Sequence, residues 1–203
     1  MSTRISGGKD RGRRLQAPKG RLRPTTEKVR AAIFSMLGDR VEGARVLDLY
    51  AGTGAIGLEA LSRGAARADF VEEDARACNT INANIRSLGY DDRATVVRAR
   101  AEKVAGSPAT LPGSKTGPGS NKGGHDGGRY DLVFIDPPYD DDPWDELLAG
   151  LSDGPLLSPD GTVVAEYGSG RALPASYGRL GLSRARRYGG SSISIFTLAA
   201  ING

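Results

Sequence analysis

The turn Asp136-Pro137-Pro138-Tyr139, directly after the apolar run Tyr130-Asp131-Leu132-Val133-Phe134-Ile135, carries the most chemistry in the chain. Its prolines end a strand by removing donors and fixing φ. The stiff turn then offers two acceptors, the Asp136 carboxylate and the Pro137 carbonyl, which together can take both hydrogens of an exocyclic base amine and draw its lone pair out of the ring. Tyr139 adds an aromatic face for a splayed base, worth roughly 1–3 kcal/mol per stacked base. Asp136 can also receive the proton that leaves once such an amine is alkylated. A strand-ending turn with no chemistry is the competing reading.

A second constellation lies in Arg45-Val46-Leu47-Asp48-Leu49-Tyr50-Ala51-Gly52-Thr53-Gly54-Ala55-Ile56-Gly57-Leu58. Gly52, Gly54 and Gly57 satisfy G-x-G-x-x-G, and Glu72 stands twenty residues after Gly52 at the end of the apolar run Ala68-Asp69-Phe70-Val71, as in dinucleotide-binding turns. That motif alone admits a nicotinamide cofactor and an oxidoreductase. Asp48 weighs against them: a carboxylate beside the loop repels a pyrophosphate but suits the ammonium group of S-adenosylmethionine (SAM), a net cation. The alternative role for Asp48 is to cap the turn.

These residues need a framework that gathers strand ends. Branched apolar residues through Leu49 predict a buried strand, and helical spacing from Gly54 predicts a helix after a tight turn. A helix follows Arg23-Pro24-Thr25-Thr26-Glu27, with threonine as cap, Val29, Ile33, Met36 and Leu37 on one face, and Gly38 as its end. Asp74 to Leu88 reads as a helix with Ala77, Ile81, Ala83, Ile85 and Leu88 inward, closed by Gly89. Thr95-Val96-Val97 and Gly161 to Glu166 read as strands, Trp144 to Leu151 as a helix, and Leu180 to Tyr188 and Ser191 to Leu198 as a hairpin. Alternating elements of this kind predict a mostly parallel α/β sheet that binds its ligand at the carboxyl ends of the strands.

Gly106 to Arg129, with eight glycines and three prolines in 24 residues, reads as a mobile loop unable to bury apolar surface. His125 lies within it, which argues against a catalytic histidine. One histidine and one cysteine in 203 residues exclude a Cys/His zinc cluster and an internal disulfide. Cys78, in a helix, reads as a packing residue. No apolar run spans a bilayer and the N-terminus lacks a signal pattern, so a cytoplasmic protein without a structural metal, acting as a monomer, is expected.

Residues 1–30 hold ten Lys or Arg against Asp10 and Glu27, so the net +4 of the chain is +8 there and −4 elsewhere. Such a stretch is the footprint of phosphate contact, and Lys9, Arg11, Arg13, Arg14 and Arg23 are its candidate RNA-binding residues. A solvated tail is the alternative. Ile5 to Leu15 is expected to form a basic β-hairpin, so that residues 1–24 form an RNA-contacting extension and 25–203 the main domain.

Together, Ile5-x-Gly7-Gly8-Lys9-x-Arg11-Gly12-Arg13-Arg14-Leu15, Arg23-Pro24-Thr25-Thr26-x-x-Val29-Arg30, the block from Leu47 to Gly64 and Asp136-Pro137-Pro138-Tyr139 resemble the bacterial 16S ribosomal RNA guanine-N2 methyltransferases of the D type. The resemblance implies a Rossmann-like class I SAM-dependent methyltransferase fold, a seven-stranded mostly parallel sheet with a C-terminal antiparallel hairpin. It also implies action on one guanine of 16S ribosomal RNA within the 30S subunit or an assembly intermediate. By position, Asp48 and the Ala51-Gly52-Thr53-Gly54 backbone would hold the methionine part of SAM and Glu72 the ribose hydroxyls. Arg100 and Ala101 would lie beside the adenine, Tyr50 and Thr26 would complete the cofactor set, and Asp136, Pro137, Pro138 and Tyr139 would face the base. Arg98-Ala99-Arg100-Ala101 departs from the usual Asp that binds the adenine amine after strand three. Two rivals remain open, adenine-N6 methylation of DNA or RNA, and an RNA-binding assembly factor without catalysis.

Overall fold

A computed structural model of the chain describes residues 3–17, 26–106, 111, 129–138 and 141–199. Helix α1 (Glu27–Leu37) and a 3-10 turn (Gly38–Val41) lead into β1 (Arg45–Leu49), α2 (Ala55–Ser62), β2 (Arg67–Glu72), α3 (Ala75–Leu88), β3 (Ala94–Arg98) and α4 (Ala101–Gly106). Then come β4 (Tyr130–Ile135), α5 (Trp144–Asp153), β5 (Leu157–Gly168), β6 (Ser176–Tyr177), β7 (Leu180–Tyr188) and β8 (Ser191–Leu198). They form a single sheet in the order β3-β2-β1-β4-β5-β8-β7-β6. Strands β1 to β5 pair in parallel, and β8, β7 and β6 continue antiparallel.

Inner parallel strands are covered on both sides, which explains their near-continuous apolar runs. Val46, Phe70 and Phe134 pack with Val29, Ile33, Leu58 and Ile81 on the side of α1, α2 and α3. Leu47, Leu49, Val133 and Ile135 pack with Val104, Trp144, Leu147 and Leu151 on the side of α4 and α5. The order reverses between β1 and β4, so the ends of these two strands open a crevice.

The sheet has eight strands where seven are expected. The extra pair, Ser176–Tyr177 against Leu180 and Gly181, is made possible by a left-handed residue, Gly178 at φ 55, which allows a two-residue turn. Helix α4 is a further element without an expected counterpart. The expected threonine cap appears, Thr26 Oγ1 accepting from the Val29 amide at 3.3 Å, whereas Asp74, read as the first helical residue, caps α3 instead, its Oδ1 accepting from the Ala77 amide at 2.8 Å. In α3 the buried residue is Asn84 rather than its neighbour Ala83, which is only half-buried.

The expected basic hairpin is present in short form: the antiparallel bridge Arg4 to Arg14 is flanked by the Ile5 amide donating to the Arg13 carbonyl at 3.0 Å and the Leu15 amide to the Thr3 carbonyl at 2.8 Å. At its tip, two backbone amides bond to the carboxyl end of α2. The Lys9 amide donates to the Ser62 carbonyl at 2.8 Å, and the Asp10 amide to Ser62 Oγ at 2.9 Å. Gly8 sits so close that a Cβ would lie 2.0 Å from the Ser62 carbonyl oxygen. Arg23 and Pro24 lie outside the described residues, as does 107–128 apart from Leu111. That leucine is buried in the α4–α5 core, so one apolar anchor of the glycine-rich stretch does pack, against the expectation.

Beneath this segment lies a buried ion cluster. Glu59 of α2, fully buried, accepts from Arg30 Nε at 3.2 Å and from Arg63 Nη2 at 2.8 Å, and also takes the Ser6 amide at 3.1 Å. Arg30, which reads as part of a basic surface in the sequence, is itself 0% exposed. Removing one partner from such a cluster strands the other charge, at about 3–5 kcal/mol. Glu59→Gln is expected to lower unfolding stability by that amount and to expose residues 5–14 to protease, as measured by denaturant titration and limited proteolysis; a loss under about 1 kcal/mol would contradict the reading.

Candidate active site

The strand β1 ends in a left-handed residue, Tyr50 at φ 62, an uncommon conformation for a bulky side chain. Gly52 and Gly54 follow at φ 55 and 76, and the loop closes with the Gly54 amide donating to the Ala51 carbonyl at 2.7 Å. Gly57 has a different function. Its amide donates to Asp48 Oδ2 at 3.0 Å, and a Cβ there would sit 2.3 Å from the Phe70 ring, so only glycine brings the helix near enough. Glu72 accepts from the Gly52 amide at 2.8 Å and from the Asp74 amide at 2.9 Å, which fixes both its oxygens at the lip of the loop.

These strand ends surround a cleft of about 480 Å³. Of the expected cofactor residues, Thr26, Asp48, Tyr50, Ala51, Gly52, Thr53, Glu72, Arg100 and Ala101 line it, together with Asp136, Pro137 and Pro138. Gly54 caps α2 just behind the wall. Tyr139 lies outside the described residues. A shallower cavity of about 420 Å³ adjoins Pro137 and Pro138, walled by Asp142, Trp144, Tyr167 and Arg171.

The wall also holds residues that sequence reading missed: Glu73, Asp74, Glu102, Asp141, Glu166 and Ser191. Glu102 opens α4, accepts from the Tyr50 hydroxyl at 2.6 Å and faces Arg100 at 3.4 Å. Burial disfavours its charge, but the Tyr50 hydroxyl and Arg100 outweigh this and hold the Glu102 carboxyl below the usual carboxylate range. A carboxylate two residues beyond Arg100 thus stands near where the resemblance expects an acid and finds none. Glu166 and Ser191 come from β5 and β8, far along the chain, where no local motif marks them.

Asp48 is 3% exposed, and burial, opposed by the Gly57 amide and reinforced by Asp136 and Glu72, pushes its pKa up to about 7. The cleft is therefore acidic and poorly solvated at its base, suited to a ligand that brings positive charge. SAM, a net cation, meets that requirement. Burial and Glu72 push the Cys78 thiol up; its Sγ donates to the Glu72 carbonyl at 3.4 Å, consistent with packing rather than nucleophilic chemistry.

The candidate RNA residues divide. Lys9, Arg11, Arg13 and Arg14 are all exposed, but Lys9 sits over the Tyr90 ring at 4.8 Å and Arg13 bonds the Ser87 carbonyl, at the carboxyl ends of α2 and α3. Those helices start at the cleft and run away from it, so the tip of the arm lies about a helix length, roughly 12–20 Å, from the opening. Asn84 connects arm to cleft: its amide nitrogen donates to the Gln16 and Thr53 carbonyls, each at 3.1 Å.

The family model described as Conserved hypothetical protein 95 matches residues 3–197. The chain is 35% identical over 194 residues to YlbH of Bacillus subtilis, provisionally named an rRNA methyltransferase, covering 95% of this chain and 97% of that one. It is 33% identical over 172 residues to ribosomal RNA small subunit methyltransferase D of Escherichia coli, covering 84% and 77%. The chain belongs to this methyltransferase D family. Among solved structures, YhhF of Escherichia coli, provisionally named a methyltransferase, superimposes with a TM-score of 0.79 at 30% identity over 98% of this chain and 99% of that one. An RNA methyltransferase of Salinibacter ruber, solved with S-adenosyl-L-homocysteine, shares the fold at TM-score 0.60 and 18% identity, covering 86% and 93%.

Because the Asp48 pKa in the folded state lies above its unfolded value of 3.8, the folded protein keeps a proton that the unfolded chain releases. This group's stabilising contribution is full below pH 3.8 and is lost as the pH rises to about 7. Asp48→Asn is expected to make the cofactor-free protein more stable at pH 8, by roughly 1–4 kcal/mol, and to weaken SAM binding by about 10- to 100-fold. Melting at pH 5 and 8 and calorimetric titration measure the two effects; a variant less stable at pH 8 with wild-type affinity would contradict them.

Proposed function

We propose that this family member transfers the methyl group of SAM to the exocyclic N2 amine of a guanine in 16S ribosomal RNA, presented by the 30S subunit or an assembly intermediate. One observation carries the reading: Asp136, Pro137 and Pro138 end β4 on the wall of the same cleft that Asp48 and Glu72 line from β1 and β2. The ribosomal substrate is supported by the names of the relatives, and the guanine by the resemblance of the motif blocks.

When bound, SAM supplies an electrophilic methyl on a sulfonium. Asp48 and the loop from Ala51 to Thr53 would hold its cationic end, Glu72 would take the ribose, and Ala99, Ala101 and Glu102 would border the adenine. The adjoining cavity beside Pro137 and Pro138 receives the target base. Asp136 and the Pro137 carbonyl accept the two amine hydrogens and direct the nitrogen lone pair at the methyl. Once the nitrogen is alkylated, Asp136 would take one amine proton.

Asp136→Asn keeps the size of the side chain but replaces an acceptor with an amide that also donates. SAM affinity is expected to stay within about tenfold, while single-turnover transfer to unmethylated 30S particles falls at least about 10²-fold. Retention of near wild-type transfer would remove the carboxylate from the chemistry. Digestion and mass analysis of the wild-type product is expected to give N2-methylguanosine; N6-methyladenosine would overturn the assignment of the base.

A further inference from the structure

An acidic cleft repels the substrate it has to serve. Asp48, Glu72, Glu102, Asp136, Asp141 and Glu166 stand on its wall, and a polyanion reaches such a mouth only if cations nearby hold the phosphates. The tip of the N-terminal arm is at the far end of α2 and α3 and does not rim this opening.

From Tyr167 to Gly203 the chain holds five arginines and no acidic residue. Three of them, Arg184, Arg186 and Arg187, stand on β7, where the residues from Ser183 to Arg187 are all exposed. β6 covers only the start of this strand, at Leu180 and Gly181, and the Ala175 carbonyl takes the Leu182 amide at 2.8 Å, so among the described residues its outer edge is open from Ser183 onward. The register sets Arg184 opposite Ile195 and Arg186 opposite Ile193, so these two share a face. Among the described residues none of the three is in an ion pair. Two make neutral hydrogen bonds: Arg186 Nη1 to the Ala185 carbonyl at 3.0 Å and Arg187 Nη2 to Ser169 Oγ at 3.1 Å.

The strip ends at the cleft. Arg187 pairs with Ser192 and Tyr188 with Ser191, and Ser191 with Glu166 lines the cavity. Arg171, on the loop after β5, lines the adjoining cavity and pairs with Asp142. Charges on an open edge strand also guard against strand pairing, but that role is indifferent to where the strip leads.

We propose that Arg184, Arg186 and Arg187 form a phosphate-binding strip that holds the RNA backbone flanking the target base. It rests on the reading of the protein as an RNA methyltransferase. Guanidinium forks engage phosphates bidentately, and each phosphate neutralised releases counterions.

The test uses the full-length protein with Arg184, Arg186 and Arg187 all changed to Gln, and a second variant with all three changed to Lys. Binding to unmethylated 30S particles is measured from about 50 to 300 mM salt, with SAM titration and melting alongside. The Gln variant is expected to bind SAM as wild type but to fall roughly 10- to 100-fold in particle affinity. Its plot of log affinity against log salt should flatten by about 0.7–0.9 for each phosphate that is no longer neutralised. The Lys variant should recover most of the slope. Methyl transfer at saturating particle should be preserved, the cost appearing in KM. Wild-type affinity and slope in the Gln variant would overturn the strip while leaving the activity standing; a wild-type protein that neither binds particles in a salt-dependent way nor methylates them would overturn both.

Discussion

The cleft depends on a carboxylate placed where water cannot solvate it. Asp48 ends β1 at 3% exposure, and the Gly57 amide donates to it. To deliver that amide, the first turn of α2 must lie against β2, and Gly57 permits this because any side chain would strike Phe70. The turn before it is fixed in turn by Tyr50, Gly52 and Gly54 in left-handed conformations. The spacing of the glycines, the sharp exit of the strand and the approach of the helix all serve one arrangement, a buried carboxylate held by a backbone amide. Burial and neighbouring acids make that charge costly until the ligand arrives, so part of the binding free energy is withheld from the stability of the empty protein.

Much of this is legible in the chain because it is written locally. The strand and loop from Arg45 to Gly57, the β4 run into Asp136-Pro137-Pro138, the capped helix from Asp74 and the hairpin around Gly189-Gly190 each carry their own periodicity and punctuation. What cannot be read comes from distance. Glu166 and Ser191 join the cleft through antiparallel pairing of β5 with β8 and Glu102 through a six-residue helix, while Asn84 holds the arm through a contact 68 residues away in sequence. Arg30 misleads for the same reason: its buried partner Glu59 lies on another helix, and a charge run viewed alone reads as surface. The arm reads as a paired hairpin, and its flanks do pair across, but the two amides at its tip, those of Lys9 and Asp10, bond to the end of α2, which no local pattern announces.

Charge is segregated across the molecule accordingly. Acids gather where a cationic cofactor must sit, at the strand ends. Arginines gather on β7 and its approach, the strip proposed to hold phosphates. The N-terminal segment, basic in sequence, is pinned by Glu59, Ser62 and Asn84 and so braces α1, α2 and the glycine loop as much as it displays charge.

The central claim, that the ligand completes the charge balance of a partly protonated Asp48, is tested most directly by counting protons. Calorimetric titration of the wild-type protein with SAM at pH 7, repeated in buffers of different ionisation enthalpy, reports the protons exchanged on binding. With a free-protein pKa of about 7, binding should release about half a proton, rising toward one at about pH 6 and vanishing by about pH 8.5. A binding heat that is independent of buffer at both of the lower pH values would contradict the account.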